Sequence, residues 1–254
     1  MRLLWAAIRT EATKFLRAQL SVVTTVMLTF GIGILVSSML LALNTDDPQL
    51  AAKLGALVDP GGWAGYLAMA SQVTSVAGLL GFGVVLSWLY GREFADSTIT
   101  GLFALPVSRA QIAAAKFVVY LAWSVAISVA LAVMLLLLGT AFGLGPVPDA
   151  AWPAFGIQLG AALLTSLLAA PAAWAATLGR GLLAGIGTII GIVVVAQVAV
   201  LSGIGAWFPF SAPGLWATSA GTAASAGQLA LVVPVFLLFA GGTIATWKRL
   251  QLDK

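Results

Sequence analysis

Residues 91–116, GREFADSTITGLFALPVSRAQIAAAK, decide how the rest of the chain is read. They carry five charges, Arg92, Glu93, Asp96, Arg109 and Lys116, between long uncharged runs. Asp96 or Ser97 can cap a helix by accepting from its first free amides. Ile99, Leu102 and Phe103 then share one apolar face at i, i+3 and i+4 spacing. Pro106 stops that helix, because the residue before a proline is driven out of the α region. Ser108-Arg109-Ala110-Gln111 follows with capping-box spacing and starts another helix. The expectation is a short amphipathic helix over about 96–105, including Thr98 near its start, held between two long apolar helices. An ordinary polar loop is the plainer alternative.

Outward from this stretch the chain is greasy. Of 254 residues, 61% are hydrophobic and 8% are charged, where a soluble domain carries about 25% charged residues. That difference assigns an integral, all-α membrane protein. There is no Cys and no His, which removes a disulfide framework, a thiolate metal site and the usual proton shuttle. The net charge of +4 is modest, and nothing in its distribution points to nucleic acid.

The N-terminal segment, residues 1–18, reads as a helix lying in the membrane interface. Leu4, Trp5, Ile8, Ala12, Phe15 and Leu16 fall on one face, and Arg2, Arg9, Thr13 and Arg17 on the other. A signal peptide is the rival reading. Glu11, the long polar lead-in and the lack of a small-residue cleavage site argue against it.

A membrane helix needs about 20 apolar residues, and uncharged runs supply six such spans within residues 19–248. They are expected near 20–43, 65–90, 112–148, 150–179, 182–201 and 229–247, leaving 249–254 as a tail. The uncharged run from 181 to 247 is too long for one crossing and is broken by the Gly/Pro/aromatic stretch at 203–227, expected to lie at the outer interface or to re-enter the membrane. Arg2, Arg9, Lys14, Arg17, Arg92, Arg109, Lys116, Arg180, Lys248, Arg249 and Lys254 all fall on one side of this arrangement, and only Lys53 on the other. The positive-inside rule makes the first side cytoplasmic, with both termini there.

The expected spans hold no ionisable residue in their interiors, which disfavours an ion-coupled transporter. Gln72, Gln158 and Gln197 are their notable polar residues. Each is more often a helix–helix hydrogen bond than a substrate ligand, and the three stand as candidates for a substrate pathway. Gly181 and Gly185, then Gly187 and Gly191, make successive GxxxG spacings that suit close helix packing, within the subunit or in a dimer. Pro171 and Pro234 should kink the fourth and sixth spans. The five lysines follow Thr13, Ala52, Ala115, Trp247 and Asp253. None follows a glycine, so no GxxxxGK[ST] phosphate loop can be drawn, and energy for active transport must come from another chain. No catalytic or metal site is expected.

The basic amphipathic start, the six spans and the segment after the second one together resemble the permease subunits of type-2 ABC exporters. The family's pattern there is an acidic residue, a Thr-Ile-rich short helix, a Leu-Pro-x-Ser-Arg turn, then Lys. Here it reads Glu93, Ser97-Thr98-Ile99, Leu105-Pro106-Val107-Ser108-Arg109 and Lys116. Many relatives have Gly-Thr where this chain has Ser97-Thr98. The resemblance implies that the short helix couples to a cytoplasmic ATPase, with Arg92, Glu93, Asp96, Thr98, Ile99, Leu102, Phe103, Pro106 and Arg109 as coupling residues and the charges Arg92, Glu93 and Arg109 pairing at the ATPase rim. It further implies two ATPase subunits carrying ATP and Mg²⁺, no cofactor in this chain, a second permease copy or a similar permease, and residence in a bacterial cytoplasmic membrane. The small size looks most like the bacitracin-resistance and lantibiotic-immunity branch. The expected activity is export of an amphipathic substrate. The alternatives are a membrane immunity or scaffold protein that transports nothing and, less favoured given the missing His, Cys and buried acids, an intramembrane enzyme.

Overall fold

The computed structural model describes residues 2–43, 62–103 and 106–251, with the side chains of Leu43 and Phe103 outside that description. Nine helical elements follow in order among these residues. α1 (Arg2–Leu16) precedes the first long helix, α2 (Gln19–Ala42). α3 (Gly62–Ala95), the short α4 (Ile99–Phe103) and α5 (Arg109–Leu144) come next. α6 (Asp149–Leu178), α7 (Leu182–Leu201), α8 (Ala212–Thr218) and α9 (Ala226–Arg249) complete the fold. Six of these are long and apolar enough to cross a membrane. The fifth expected span is met residue for residue. The second and third come closer to the junction between them than expected, reaching Ala95 and beginning at Arg109, so that Glu93 lies on a spanning helix and Lys116 two turns inside one.

α3 and α6 are the inner helices, and α7 and α9 leave most of their surface outward. Small residues set the inner spacing. A Cβ on Gly83 would strike Ile189, one on Gly91 would strike the backbone at Gly181 and Leu182, and one on Gly185 would strike Ser87 and the carbonyl of Ala172. The first GxxxG pair thus packs inside the subunit. The second points away from it, since nothing lies within 4 Å of a Cβ at Gly187 or Gly191. Aromatic heads supply cross-helix hydrogen bonds, which are needed where no water serves the polar group. Tyr90 donates to the carbonyl of Ala113 at 2.7 Å, Tyr120 to that of Ser166 at 2.6 Å, and the Trp247 indole to Thr177 at 3.0 Å. The two expected proline kinks are present. The helix breaks at Ala169, ahead of Pro171, and again at Leu231, ahead of Pro234. In each case the amide falls back on a carbonyl three residues earlier, as a proline ring against the preceding turn demands.

α1 splits its apolar face between two environments. Ala7, Glu11 and Phe15 are buried against the bundle, with the Phe15 ring edge-on to Trp123 at 5.6 Å. Trp5 and Leu16 face outward, as an interfacial helix requires.

Residues 203–227 fold back onto the spans. Trp216 on α8 meets Gly160 of α6, and Gly214 meets Ser75 of α3. Ser75 lies about 20 Å along α3 from Gly62, at 1.5 Å per residue. Among the large aromatics here only Trp207, with Ile204 beside it, projects freely. Residues 44–61, which follow the first expected span and hold Lys53, lie outside the described residues.

Candidate functional site

The junction after α3 is built differently from the sequence expectation. Asp96 does not start the short helix but closes the long one, its amide donating to the carbonyl of Arg92 at 2.8 Å. Ser97 then takes a left-handed backbone, φ 54°. An L-residue pays about 1–2 kcal/mol there and glycine does not. α4 itself is only Ile99–Phe103. Residues 104 and 105 lie outside the described residues. Past Pro106 the expected capping box is present: Ser108 Oγ accepts from the Gln111 amide, and the Gln111 side chain accepts from the Ser108 amide.

Ile99 and Leu102 are buried, and Leu102 belongs to the core cluster of the bundle. The two described side chains of the apolar face of α4, Ile99 and Leu102, are therefore covered by this chain itself. What α4 and its turn present outward is polar and small: Asp96, Ser97, Thr98, Thr100 and Gly101.

Beneath the junction lies an ion cluster that sequence reasoning did not assemble. Lys116 is fully buried; its Nζ donates to Glu11 at 2.8 Å and to Glu93 at 2.9 Å. Lys14 lies 3.1 Å from Glu11 and 3.6 Å from Glu93, and Arg92 lies 3.9 Å and 3.5 Å from the same two acids. The Arg92 guanidinium covers the Trp88 ring at 4.4 Å. The second oxygen of Glu93 accepts from the Thr98 hydroxyl at 2.6 Å. Three cations thus surround two carboxylates, and no member is left as a lone buried charge, which would be prohibitive. The cluster pins the interfacial helix α1 to α3 and α5, and Thr98 carries the connection across the left-handed turn into α4.

This corrects two expectations. Glu93 does not sit at a rim; it points inward, and Arg92 is turned onto it. The spans are also not free of ionisable groups, since Lys116 lies two turns inside α5. Glu11 and Lys14, read only as part of an interfacial helix, are structural partners of this junction. Their signal was faint: Glu11 is the one acid on an otherwise basic helix.

Two further cations tie down the C-terminal segment. Arg109 donates to the carbonyl of Leu250, and Arg180 to that of Gln251 at 3.5 Å. With Glu11 and Lys14 beside Lys116, these contacts gather the start of the chain, both basic loops and residues 250–251 at one end of the bundle.

Elsewhere, α3, α7 and the folded-back segment line a half-open cavity of about 220 Å³. Gln72 and Ser75 from α3, Gln197 from α7, and Phe210, Ser211 and Thr218 are among its lining residues. Two of the three expected glutamines are thus brought together. Gln72 and Gln197 share this cavity, and among the described residues neither makes the helix–helix hydrogen bond anticipated for it. Gln158 is separate. It is fully buried on α6, and both polar atoms of its amide lack a partner among the described residues. Among the described residues no cluster of His, Cys, Asp or Glu could hold a metal ion.

Comparison with known proteins places this architecture. Residues 7–198 match the family described as ABC-2 family transporter protein. A stretch of 42 residues is 43% identical to the bacitracin transport permease protein BCRB of Bacillus licheniformis. That stretch covers 16% of this chain and 20% of the relative.

Proposed function

Because the chain belongs to the ABC-2 transporter family, we propose that it is the membrane subunit of an ATP-binding-cassette exporter. It moves an amphipathic molecule, such as an antimicrobial peptide, a drug-like natural product or a lipid, out of the cytoplasm or the membrane. Separate ATPase subunits, two per complex, bind ATP and Mg²⁺ and supply the energy. The family match over most of the chain carries this reading. The short match to a bacitracin permease favours an antibiotic-type cargo.

In this reading the basic end of the bundle is cytoplasmic, by the asymmetry of Lys and Arg. The outward polar face of α4 is the ATPase contact, and the buried cluster beneath it transmits the ATPase's movement to α1, α3 and α5. Arg92 and Glu93 act within that joint, and Arg109 acts by holding the C-terminal segment. The cavity between α3, α7 and the folded-back segment is a stage on the substrate path, its mostly apolar wall and few amides suiting an amphipath. Residues 203–227 re-enter the membrane from the outer side, with Trp207 at the outer interface. The open Gly187 and Gly191 face receives a second permease copy.

The test is co-purification with the partner ATPase, followed by a screen for compounds that stimulate ATP hydrolysis. Gly101→Trp sharpens it. Nothing lies within 4 Å of a Cβ there, so the substitution leaves the subunit's fold intact and obstructs docking on the outward face. Reduced ATPase retention at normal expression is expected. A wild-type chain that retains no ATPase and responds to no compound would favour the non-transporting immunity or scaffold protein instead.

A further inference from the structure

Two of the long helices depart from regular α-helix in mid-span. Met27–Gly31 in α2 and Thr74–Gly78 in α3 are π turns. The Ile32 amide donates to the carbonyl of Met27, five residues back, and that of Leu79 to Val76, three back. A π turn holds an extra residue and interrupts the regular ladder, which makes it a weak point in a helix. The hydroxyls register the same departure. Elsewhere in the spans Ser71, Ser87, Ser128, Thr177 and Thr243 each donate to the carbonyl four residues back. Thr29 and Thr74, one in each π turn, are buried, and their hydroxyls have no partner among the described residues.

The two π turns lie side by side. A Cβ on Gly81, one turn past that of α3, would come within 2.7 Å of the Leu28 side chain. Leu28 and Ile32 of α2, Thr74 and Gly78 of α3, and Ser128 of α5 line a void of about 10 Å³, roughly the room that one water takes. Ser75 and Val76, from the same turn of α3, line the cavity that holds Gln72 and Gln197. One turn therefore serves both a closed void and the proposed substrate path.

Both helices also lead to the ion cluster. α3 carries Arg92 and Glu93, the latter about 22 Å from Gly78 at 1.5 Å per residue. α2 follows α1, which carries Glu11 and Lys14. Beyond the π turns the two helices are tied to each other, Ser37 to Tyr66 at 3.0 Å. A push at the cluster thus meets one weak turn in each helix, at the level of the cavity. Gly78, Gly81 and Gly83 have no side chain that would have to pass α2 or α7. Shifting the extra residue one turn along α3 toward Arg92 turns the residues between by about 100°. We propose that the paired π turns are a conformational switch, through which movement at the ion cluster turns Thr74, Ser75 and Val76 and reshapes the cavity wall. This rests on the reading of the cluster and the cavity as parts of an exporter.

The experiment uses the full chain with its partner ATPase in nanodiscs. The chain has no Cys, so Thr74→Cys is a single label site for a water-soluble maleimide. It should react roughly 10-fold faster during ATP hydrolysis than without nucleotide, within the usual range of coupling between two sites. Equal rates in the two states would overturn the switch. Leu67→Cys, equally buried on α3, should stay unreactive in both, and an equal rise there would mean general loosening and overturn it too. Gly78→Ala puts a methyl group 3.3 Å from that of Thr74, in the space the turning residues must cross. It should suppress most of the rise and lower substrate-stimulated hydrolysis about 5-fold while the ATPase is retained. A normal rise with normal stimulation in this variant would overturn the role of the turn. Gly31→Ala, whose Cβ would meet only the Met27 sulfur at 3.8 Å, repeats the test if Gly78→Ala folds poorly. Should the wild type retain no ATPase, the export reading falls, and amide exchange of the chain alone decides the switch. Residues 74–79 should then exchange roughly 10-fold faster than 84–89 of the same helix, and equal protection would overturn it.

Discussion

The ion cluster at the basic end and the cavity between α3 and α7 treat polar groups in opposite ways. Around Lys116 every charge has a partner within 4 Å, and Thr98 closes the last carboxylate oxygen. Around the cavity, Gln72 and Gln197 face space and bond to nothing among the described residues. Polar groups that are mutually satisfied make a rigid joint. Polar groups left open in an apolar wall await something that is not part of the chain. One bundle thus keeps its fixed joint where the ATPase is proposed to push and its open groups where a substrate is proposed to pass.

The joint is the part most easily broken. Lys116→Met removes the centre of the cluster and leaves Glu11 and Glu93 facing each other in a buried site. Breaking a buried pair by removing one partner costs about 3–5 kcal/mol. The variant should express poorly or melt well below wild type in a detergent thermal-shift assay. Glu11→Gln with Lys116→Met restores part of the balance and should recover part of the loss. A Lys116→Met protein as stable as wild type would show that the cluster is not a structural joint.

Gln158 separates the two regions from ordinary core. It is buried like Lys116 and unpaired like Gln72, and it faces neither the joint nor the cavity. An unsatisfied buried polar group costs about 1–3 kcal/mol. Gln158→Leu should therefore raise the melting temperature without altering substrate-stimulated ATP hydrolysis. A fall in stability would mean that the amide has a partner, such as a bound water, that its removal exposes.

The sequence shows these regions unequally, for physical reasons. The spans are legible because a membrane imposes a minimum apolar length, and 182–201 is bounded by glycines and a charge that stop it on both sides. The kinks at Pro171 and Pro234 follow from local sterics. The face of α4 was readable as apolar, but periodicity says which residues seek burial and not what covers them; Ile99 and Leu102 went into their own bundle. Asp96 and Ser97 look like caps in isolation. They lost that role because α3 continues to Ala95 and the chain needs a left-handed residue to turn. Glu11 and Lys116 are 105 positions apart, and no local pattern reports such a pairing. The glutamines show the same limit. Gln72, Gln158 and Gln197 are chemically alike, and only the packing of α6, α7 and residues 203–227 divides them into two that line a cavity and one that is sealed away.

The smallest expected effect on stability falls on the cavity, and it is also where function should respond. Gln72 and Gln197 donate to nothing and accept from nothing among the described residues, so replacing either by Leu breaks no hydrogen bond. The added apolar surface faces open space and buries little on folding. The melting temperatures of Gln72→Leu and Gln197→Leu should stay close to wild type, within the roughly 0.5 kcal/mol typical of substitutions away from packed features. A substrate that uses these amides would lose one hydrogen bond in each variant. A net hydrogen bond is worth about 0.5–1.5 kcal/mol, a weakening of roughly 2- to 13-fold in the concentration that half-stimulates ATP hydrolysis. The basal hydrolysis rate should not move, because the joint beneath α4 is untouched. The double variant tells whether one molecule meets both side chains. Losses that fall short of the sum of the singles indicate a shared contact, and simple addition indicates independent ones. Normal half-stimulation in all three variants would remove the cavity from the substrate path while leaving the joint, and the reading built on it, intact.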